Sequence, residues 1–194
     1  MIGLILLMVV AIIWLAIYWE PDDQGSRRKA GLPAGGDFTL VSASGPMELK
    51  ALRGKVVVVF FGYTSCPDVC PTSLGLLSNA LSELQDDELK LVQGIFISVD
   101  PERDTLEQLQ KYGRYFHPQI LGVTGTPGQV ADVAEMYGAA YRKSGQAKDT
   151  NYMMDHTADL YVIDQAGRLH SRIRHGTPSS ELLQLLRQLL TSDS

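Results

Sequence analysis

The chain is poor in cysteine: its 194 residues hold two, Cys66 and Cys70. That excludes the dense disulfide framework of small secreted scaffolds, and it excludes a structural zinc site built on four cysteines. Basic charge is scarce as well. Lysine and arginine number 17 against 22 aspartates and glutamates, a net charge of −5 with the two signs interspersed. No basic stripe is there to track phosphates, so nucleic acid is not expected as a partner. Internal repeats and low-complexity blocks are missing too, which leaves an ordinary globular organisation. Side chains charged at neutral pH are absent altogether from residues 1–19, "MIGLILLMVVAIIWLAIYW".

At ~1.5 Å per residue that run spans roughly 28 Å, close to the ~30 Å hydrocarbon core of a bilayer. A signal peptide would carry a basic start, a shorter apolar stretch and a small-x-small cleavage site. Here the run ends in Trp14, Tyr18 and Trp19, which suit the membrane interface. The reading is an uncleaved transmembrane anchor over residues 1–19. Residues 20–37, rich in Gly, Pro and charge, read as a flexible tether, and residues 38–194 as one domain with a sizeable core. Arg27, Arg28 and Lys29 follow the anchor and, counted alone, would hold the domain in the cytoplasm. Long domains translocate regardless of flanking charge, so the side is left to the cysteine chemistry.

Along the domain, "FTLVSASGPMELKALRGK" reads as two short strands joined near Ser44-Gly45-Pro46. The continuous run "VVVVFFGY" predicts a strand covered on both faces. Leucines 74, 77, 81 and 84 predict a helix from about Pro71 to Gln85. "LKLVQGIFISVD" gives a second central strand and "TLEQLQKYGRYF" a second helix. A third helix opens near Pro127 and ends about Gly138. "TADLYVIDQAGRLHSRIR" predicts two strands around a turn at 165–167, and residues 179–191 a closing amphipathic helix. Strands alternating with helices, then a terminal hairpin and helix, describe an α/β fold, a mixed sheet flanked by helices. Two cysteines between the first buried strand and the next helix fit the thioredoxin-like arrangement.

Pro71 lacks an N–H and suits a first helical turn, which makes Cys70 the expected N-cap and puts Cys66 in the loop before it. Both sulfurs then lie at the positive end of a helix dipole, which favours thiolate. The C-x-x-x-C spacing lets them spread around an ion or close on each other. A purely structural disulfide gains little, because a five-residue ring barely constrains the unfolded chain. For a third metal ligand the chain offers His117, His156, His170 and His175. His156, at the start of a predicted strand, is placed near the loop that faces the cysteine helix, although an isolated histidine is more often an ordinary polar residue. Two thiolates and an imidazole suit copper, the sulfurs favouring Cu(I) and the nitrogen admitting Cu(II).

Taken together, "FFGYTSCPDVCPTSL", "SVDPERDT" and "YMMDHTADLYVID" resemble the Sco/SenC family of membrane-tethered, thioredoxin-like proteins linked to assembly of the copper sites of respiratory cytochrome oxidase. The resemblance runs from about Asp37 to the last helix. It implies metal ligands at Cys66, Cys70 and His156 and copper as Cu(I) or Cu(II), and the anchor fits a single-pass protein of the inner membrane. Closely spaced cysteines with a copper role belong where thiols can be cycled, which puts the domain on the periplasmic side. It further implies delivery of copper to an oxidase copper-site subunit, with a copper donor protein and a thiol reductant as additional partners. No catalytic residue is implied for delivery. The alternative is a thiol–disulfide oxidoreductase with Cys66 and Cys70 as its redox pair, reducing cysteines of the same oxidase subunit. A peroxide-reducing enzyme of the same fold class fits poorly: its Thr-x-x-Cys motif meets Tyr63 before Cys66 and Pro67 before Cys70.

Other polar residues carry two readings each. Asp100, Arg103 and Asp104 are either a polar frame beside the cysteine loop or a capped helix start at Asp104 or Thr105. Asp68 closes an Asx-turn or meets a basic partner surface, with the turn favoured. Asp155 is an orienter of His156 or simply solvated. Met153 and Met154 are read as gap-fillers.

Overall fold

A strand buried on both faces has no polar side to show, and Val56–Gly62 has none; all seven residues are buried. A computed structural model of the chain describes residues 33–144 and 152–191 and sets this strand among the following elements. In chain order they are strands β1 (Thr39–Ser42) and β2 (Gly45–Glu48), a 3₁₀ turn at Leu49–Leu52, β3 (Val56–Gly62), helix α1 (Val69–Ser82) and the short helix α2 (Asp86–Lys90). Then come β4 (Val92–Ser98), α3 (Leu106–Phe116), β5 (Ile120–Thr124), α4 (Pro127–Tyr137), β6 (Tyr141–Ser144) and β7 (Met153–His156). Strands β8 (Leu160–Ile163) and β9 (Leu169–Ile173) precede the closing helix α5 (Ser179–Thr191).

Seven strands form one sheet in the order β2-β1-β5-β4-β3-β8-β9. Strands β3, β4 and β5 run parallel, while β1 and β8 join the parallel block antiparallel. The sheet is therefore mixed, as expected for the thioredoxin-like α/β fold. Strands β6 and β7 stand apart as a two-stranded antiparallel hairpin. Successive side chains of a strand point to opposite faces, and the aromatics show it. Phe61 meets Tyr137 of α4 and Tyr161 of β8 on one face. Phe60 stacks on Phe96, which meets Tyr112 of α3, on the other.

The helix ends are written locally. Thr105 and Thr126 each accept a hydrogen bond from the backbone N–H of the glutamine three residues on, so α3 and α4 start where the sequence predicts. Gly138 closes α4 in the left-handed region, φ 65°. Helix α1 differs from expectation. It begins at Val69, with Asp68 as N-cap, so Cys70 is the second helical residue and not the cap. The first N–H groups of any helix lack an intrahelical partner, so Pro71 fits two positions deeper in the first turn than expected. The Asp68 side chain makes no capping hydrogen bond, and its carbonyl instead accepts from the N–H and hydroxyl of Thr72. The expected Asx-turn is not formed. Helix α1 also stops at Ser82, three residues early, because Gln85 starts α2 with its N–H on Glu88 Oε2 at 2.8 Å.

The expected anchor (1–19) and most of the tether lie outside the described residues. Among the described residues no helix is long and apolar enough to cross a membrane. The last residues of the segment read as tether are fastened to the domain: Gly35 N–H donates to the Met136 carbonyl, the Tyr137 hydroxyl to Gly36, and Arg53 pairs with Asp37 at 2.8 Å.

Gly62 ends β3 under the first turn of α1. A Cβ there would lie 2.6 Å from Cys70 Sγ and 3.0 Å from both Phe60 and Phe96. Gly62→Ala is expected to destabilise the domain by about 1–3 kcal/mol through overpacking. Gly75→Ala, inside α1 where nothing lies within 4 Å, is expected to stabilise it by roughly 0.5–1 kcal/mol. Urea unfolding of the two variants checks both signs.

Candidate metal centre

The loop after β3 and the first turn of α1 carry the two cysteines at the carboxyl edge of the parallel strands, the side of an open α/β sheet where ligands bind. A buried carboxylate holds that loop in place. Asp104, which is 4% exposed, accepts from the Thr64 N–H at 3.0 Å, the Thr64 hydroxyl at 2.5 Å and the Ser98 hydroxyl at 2.6 Å. Three donors replace the water this carboxylate loses, so its burial is tolerated. The loop before Cys66 is thereby tied to the end of β4. Cys66 is half-buried, and Cys70, in the first turn of α1, has no exposed surface.

His156 reaches the cysteines from the end of the β6–β7 hairpin, whereas the sequence placed it at the start of a strand. Its Nε2 stands 3.2 Å from Cys70 Sγ. Its ring is wedged edge-to-face between Phe60, at 5.9 Å, and Tyr63, at 5.8 Å. On the far side Nδ1 is 3.1 Å from the Thr157 carbonyl. A carbonyl only accepts, so the ring proton belongs on Nδ1, and the Nε2 lone pair is left for the sulfurs or for a metal.

The donor atoms of Cys66, Cys70 and His156 all lie within 4.8 Å of one another, and among the described residues no other trio of His, Cys, Asp or Glu gathers this way. Both cysteines are free thiols. Two sulfurs and one imidazole nitrogen are a soft donor set that can bind copper. The other histidines are engaged elsewhere: His117 Nδ1 accepts from Gln119 N–H, His170 contacts Ser171, and His175 contacts Ser73. Asp155, offered as an orienter of His156, instead pairs with Arg142 across the hairpin at 2.9 Å. Alternation along β7 turns it away from the imidazole next to it.

The two sulfurs differ in acidity. Hydrogen bonding to the Cys70 thiol, against burial and with help from the backbone N–H groups nearby, lowers the Cys66 pKa to about 4. Cys70 moves the other way, because its own proton is held by the hydrogen bond to the Cys66 sulfur and it is buried besides. One partly exposed thiolate beside one protected thiol can attack a disulfide, and loss of the remaining proton makes both sulfurs ligands.

The residues around the trio were only partly anticipated. Asp100, Arg103 and Asp104 do form the polar frame, while Thr105 supplies the helix cap. Tyr63, whose hydroxyl accepts from Met154 N–H at 3.3 Å, and Thr157 were missed; Tyr63, three residues before Cys66, was the available signal. Met154 is buried as a filler, and Met153 is exposed with its sulfur 3.8 Å from the Tyr63 hydroxyl.

The SCO1/SenC family description matches residues 26–191. A SCO2-like protein of Rickettsia prowazekii is 36% identical over 155 residues, 79% of this chain and 75% of its own length. Among solved structures, apo Sco1 of Thermus thermophilus is similar at 39% identity and a TM-score of 0.75, over 81% of this chain and 92% of its own. Bradyrhizobium japonicum ScoI, solved with copper bound, is similar at 40% identity and a TM-score of 0.73, over 81% of this chain and 99% of its own.

The acidity of Cys66 is open to a direct check. Alkylation of the reduced protein by iodoacetamide is expected to stay nearly level from about pH 8 to about pH 5, where an ordinary thiol of pKa ~8.5 loses its rate about tenfold per pH unit. The modified residue is Cys66, with Cys70 spared, and peptide mapping identifies it. A rate that falls steadily below pH 8 contradicts the assignment.

Proposed function

Because this chain belongs to the SCO1/SenC family, we propose that it is a membrane-tethered copper chaperone that carries copper on Cys66, Cys70 and His156 and delivers it to a copper site of respiratory cytochrome oxidase. The observation that carries this reading is the convergence of three soft or borderline donors within 4.8 Å from elements 86 residues apart. Redox chemistry alone needs no imidazole here. The copper-bound relative from Bradyrhizobium japonicum supports the choice of metal. Copper is cargo in this scheme. The two thiolates hold Cu(I), and the nitrogen of His156 extends the site to Cu(II).

The apolar run at 1–19 is the proposed anchor, and the domain is placed on the periplasmic side of the inner membrane, where paired thiols cycle and are not held permanently reduced. Its proposed partners are the oxidase copper-site subunit, a copper donor protein and a thiol reductant that restores the cysteines.

The acidic Cys66 beside a protected Cys70 favours a second reading, a thiol–disulfide oxidoreductase. The Cys66 thiolate attacks a partner disulfide, forming a mixed disulfide and releasing one partner thiolate. Cys70, losing its proton, then attacks the Cys66 sulfur and releases the second. Two electrons pass to the partner and a Cys66–Cys70 disulfide remains.

Three variants separate the readings. Cys66→Ser and Cys70→Ser are each expected to abolish tight copper binding, one ion per chain in the wild type, and unchanged affinity in both refutes the ligand set. His156→Ala is expected to keep Cu(I) on two thiolates, to lose Cu(II) and oxidase assembly, and to exchange disulfides at a near-normal rate. Assembly that survives His156→Ala gives the oxidoreductase reading the lead.

Placement is checked with a topology reporter fused after Ser194. Activity of a periplasm-dependent reporter is expected. Activity of a cytoplasm-dependent reporter alone overturns both the placement and delivery.

A further inference from the structure

The strand that carries His156 is gripped at three successive inward positions. Its exposure alternates from Tyr152 to His156, with Tyr152, Met154 and His156 turned towards the domain and Met153 and Asp155 turned out. His156 meets the sulfurs, and Met154 N–H donates to the Tyr63 hydroxyl. The third grip is Arg103, in the loop between β4 and α3. Its guanidinium lies 3.7 Å from the centroid of the Tyr152 ring and 5.6 Å from that of Tyr63, and its Nη1 donates to the Tyr152 carbonyl at 2.8 Å.

The clamp is closed from below by Asp100, which is 2% exposed. Asp100 accepts from Arg103 Nε and, at 2.6 Å, from the Tyr152 hydroxyl. Arg103 and Tyr152 therefore share one buried carboxylate while stacking on each other. Lysine could not copy this, because a point charge has neither the planar face nor the fork. From outside, Lys143 of β6 lies over the same Tyr152 ring at 4.5 Å and pairs with Glu102 of the same loop. The hairpin is held to the β4–α3 loop on both of its strands.

We propose that Arg103 is a positioning residue for His156: through Tyr152 and Asp100 it fixes the strand that brings the imidazole to the two sulfurs, and so governs how well the site holds Cu(II) relative to Cu(I). The proposal rests on the copper reading above and extends it to a residue that touches no donor atom of the trio. The cysteines are fastened separately, by Asp104. Loosening the hairpin therefore removes the nitrogen and leaves the dithiolate.

The test uses the full chain, reduced and solubilised in detergent, as wild type, Arg103→Met, Arg103→Lys and Tyr152→Leu, the last removing the clamp from the other side should an arginine variant fold poorly. Cu(II) affinity is expected to fall about 10- to 100-fold in all three variants, as for other groups that orient a ligand. Cu(I) affinity is expected to change less than about threefold, since the soft sulfurs stay. Without metal, hydrogen exchange of a peptide spanning 152–163 is expected to accelerate. Equal losses of Cu(I) and Cu(II), unchanged Cu(II) affinity, or rescue by Arg103→Lys overturns the proposal. Should the wild type take up no copper, the copper reading falls, and the exchange measurement alone decides the clamp: acceleration upholds it and an unchanged rate overturns it.

Discussion

A sulfur without exposed surface has no water to answer it, so Cys70 must find its polar partners inside the protein; besides Cys66, that is His156 Nε2 at 3.2 Å. Much of the neighbourhood is arranged to make this contact. Gly62 has no Cβ, which leaves the space that Cys70 Sγ fills. Phe60 and Tyr63 confine the imidazole to one plane, and the Thr157 carbonyl fixes its proton on the far nitrogen. The cost of ordering these groups is carried by the folding of the domain, so the donor atoms meet through the protein's own hydrogen bonds and ring contacts.

The extra residue in C-x-x-x-C divides the labour between the sulfurs. Cys66 sits in the loop, half-buried, while Cys70 is drawn under the first turn of α1. Pro71 sits in that first turn, where a missing N–H sacrifices no helical bond. The consequence is one acidic, reachable thiolate and one protected thiol whose donor atoms still lie within 4.8 Å. A symmetrical pair would lack this order of reactivity.

What was legible in the sequence is what depends on neighbours along the chain. The apolar run at 56–62 marked the central strand, and Thr105, Thr126 and Gly138 marked helix ends, because periodicity and capping act within a few residues. Helix α1 was misplaced by two residues because Pro71 tolerates several first-turn positions. Strand β5 and the β6–β7 hairpin were not foreseen: Gly122 interrupts the apolar pattern of β5, and "YRKS" has little apolar character to signal a strand. The metal centre was half legible. The cysteines announced themselves by spacing, but His156 lies 86 residues from Cys70, and the pairing of Arg103 with Tyr152 spans 49. Such contacts follow from topology, and the weak case for His156 on its own was strengthened only by the family resemblance.

The loop between β4 and α3 explains how so distant a ligand is held in register. Two of its carboxylates are buried and point to different elements: Asp104 ties the cysteine loop, and Asp100, with Arg103, ties the histidine hairpin. One short segment therefore sets the distance between donors that lie 86 residues apart along the chain. On the delivery reading this has a directional consequence. Cys66 and His156 are both partly exposed, whereas Cys70 has no exposed surface and its sulfur lies against Gly62. An incoming ligand on a partner meets the first two before the third, so exchange proceeds from the rim inward and Cys70 is the last donor to let go.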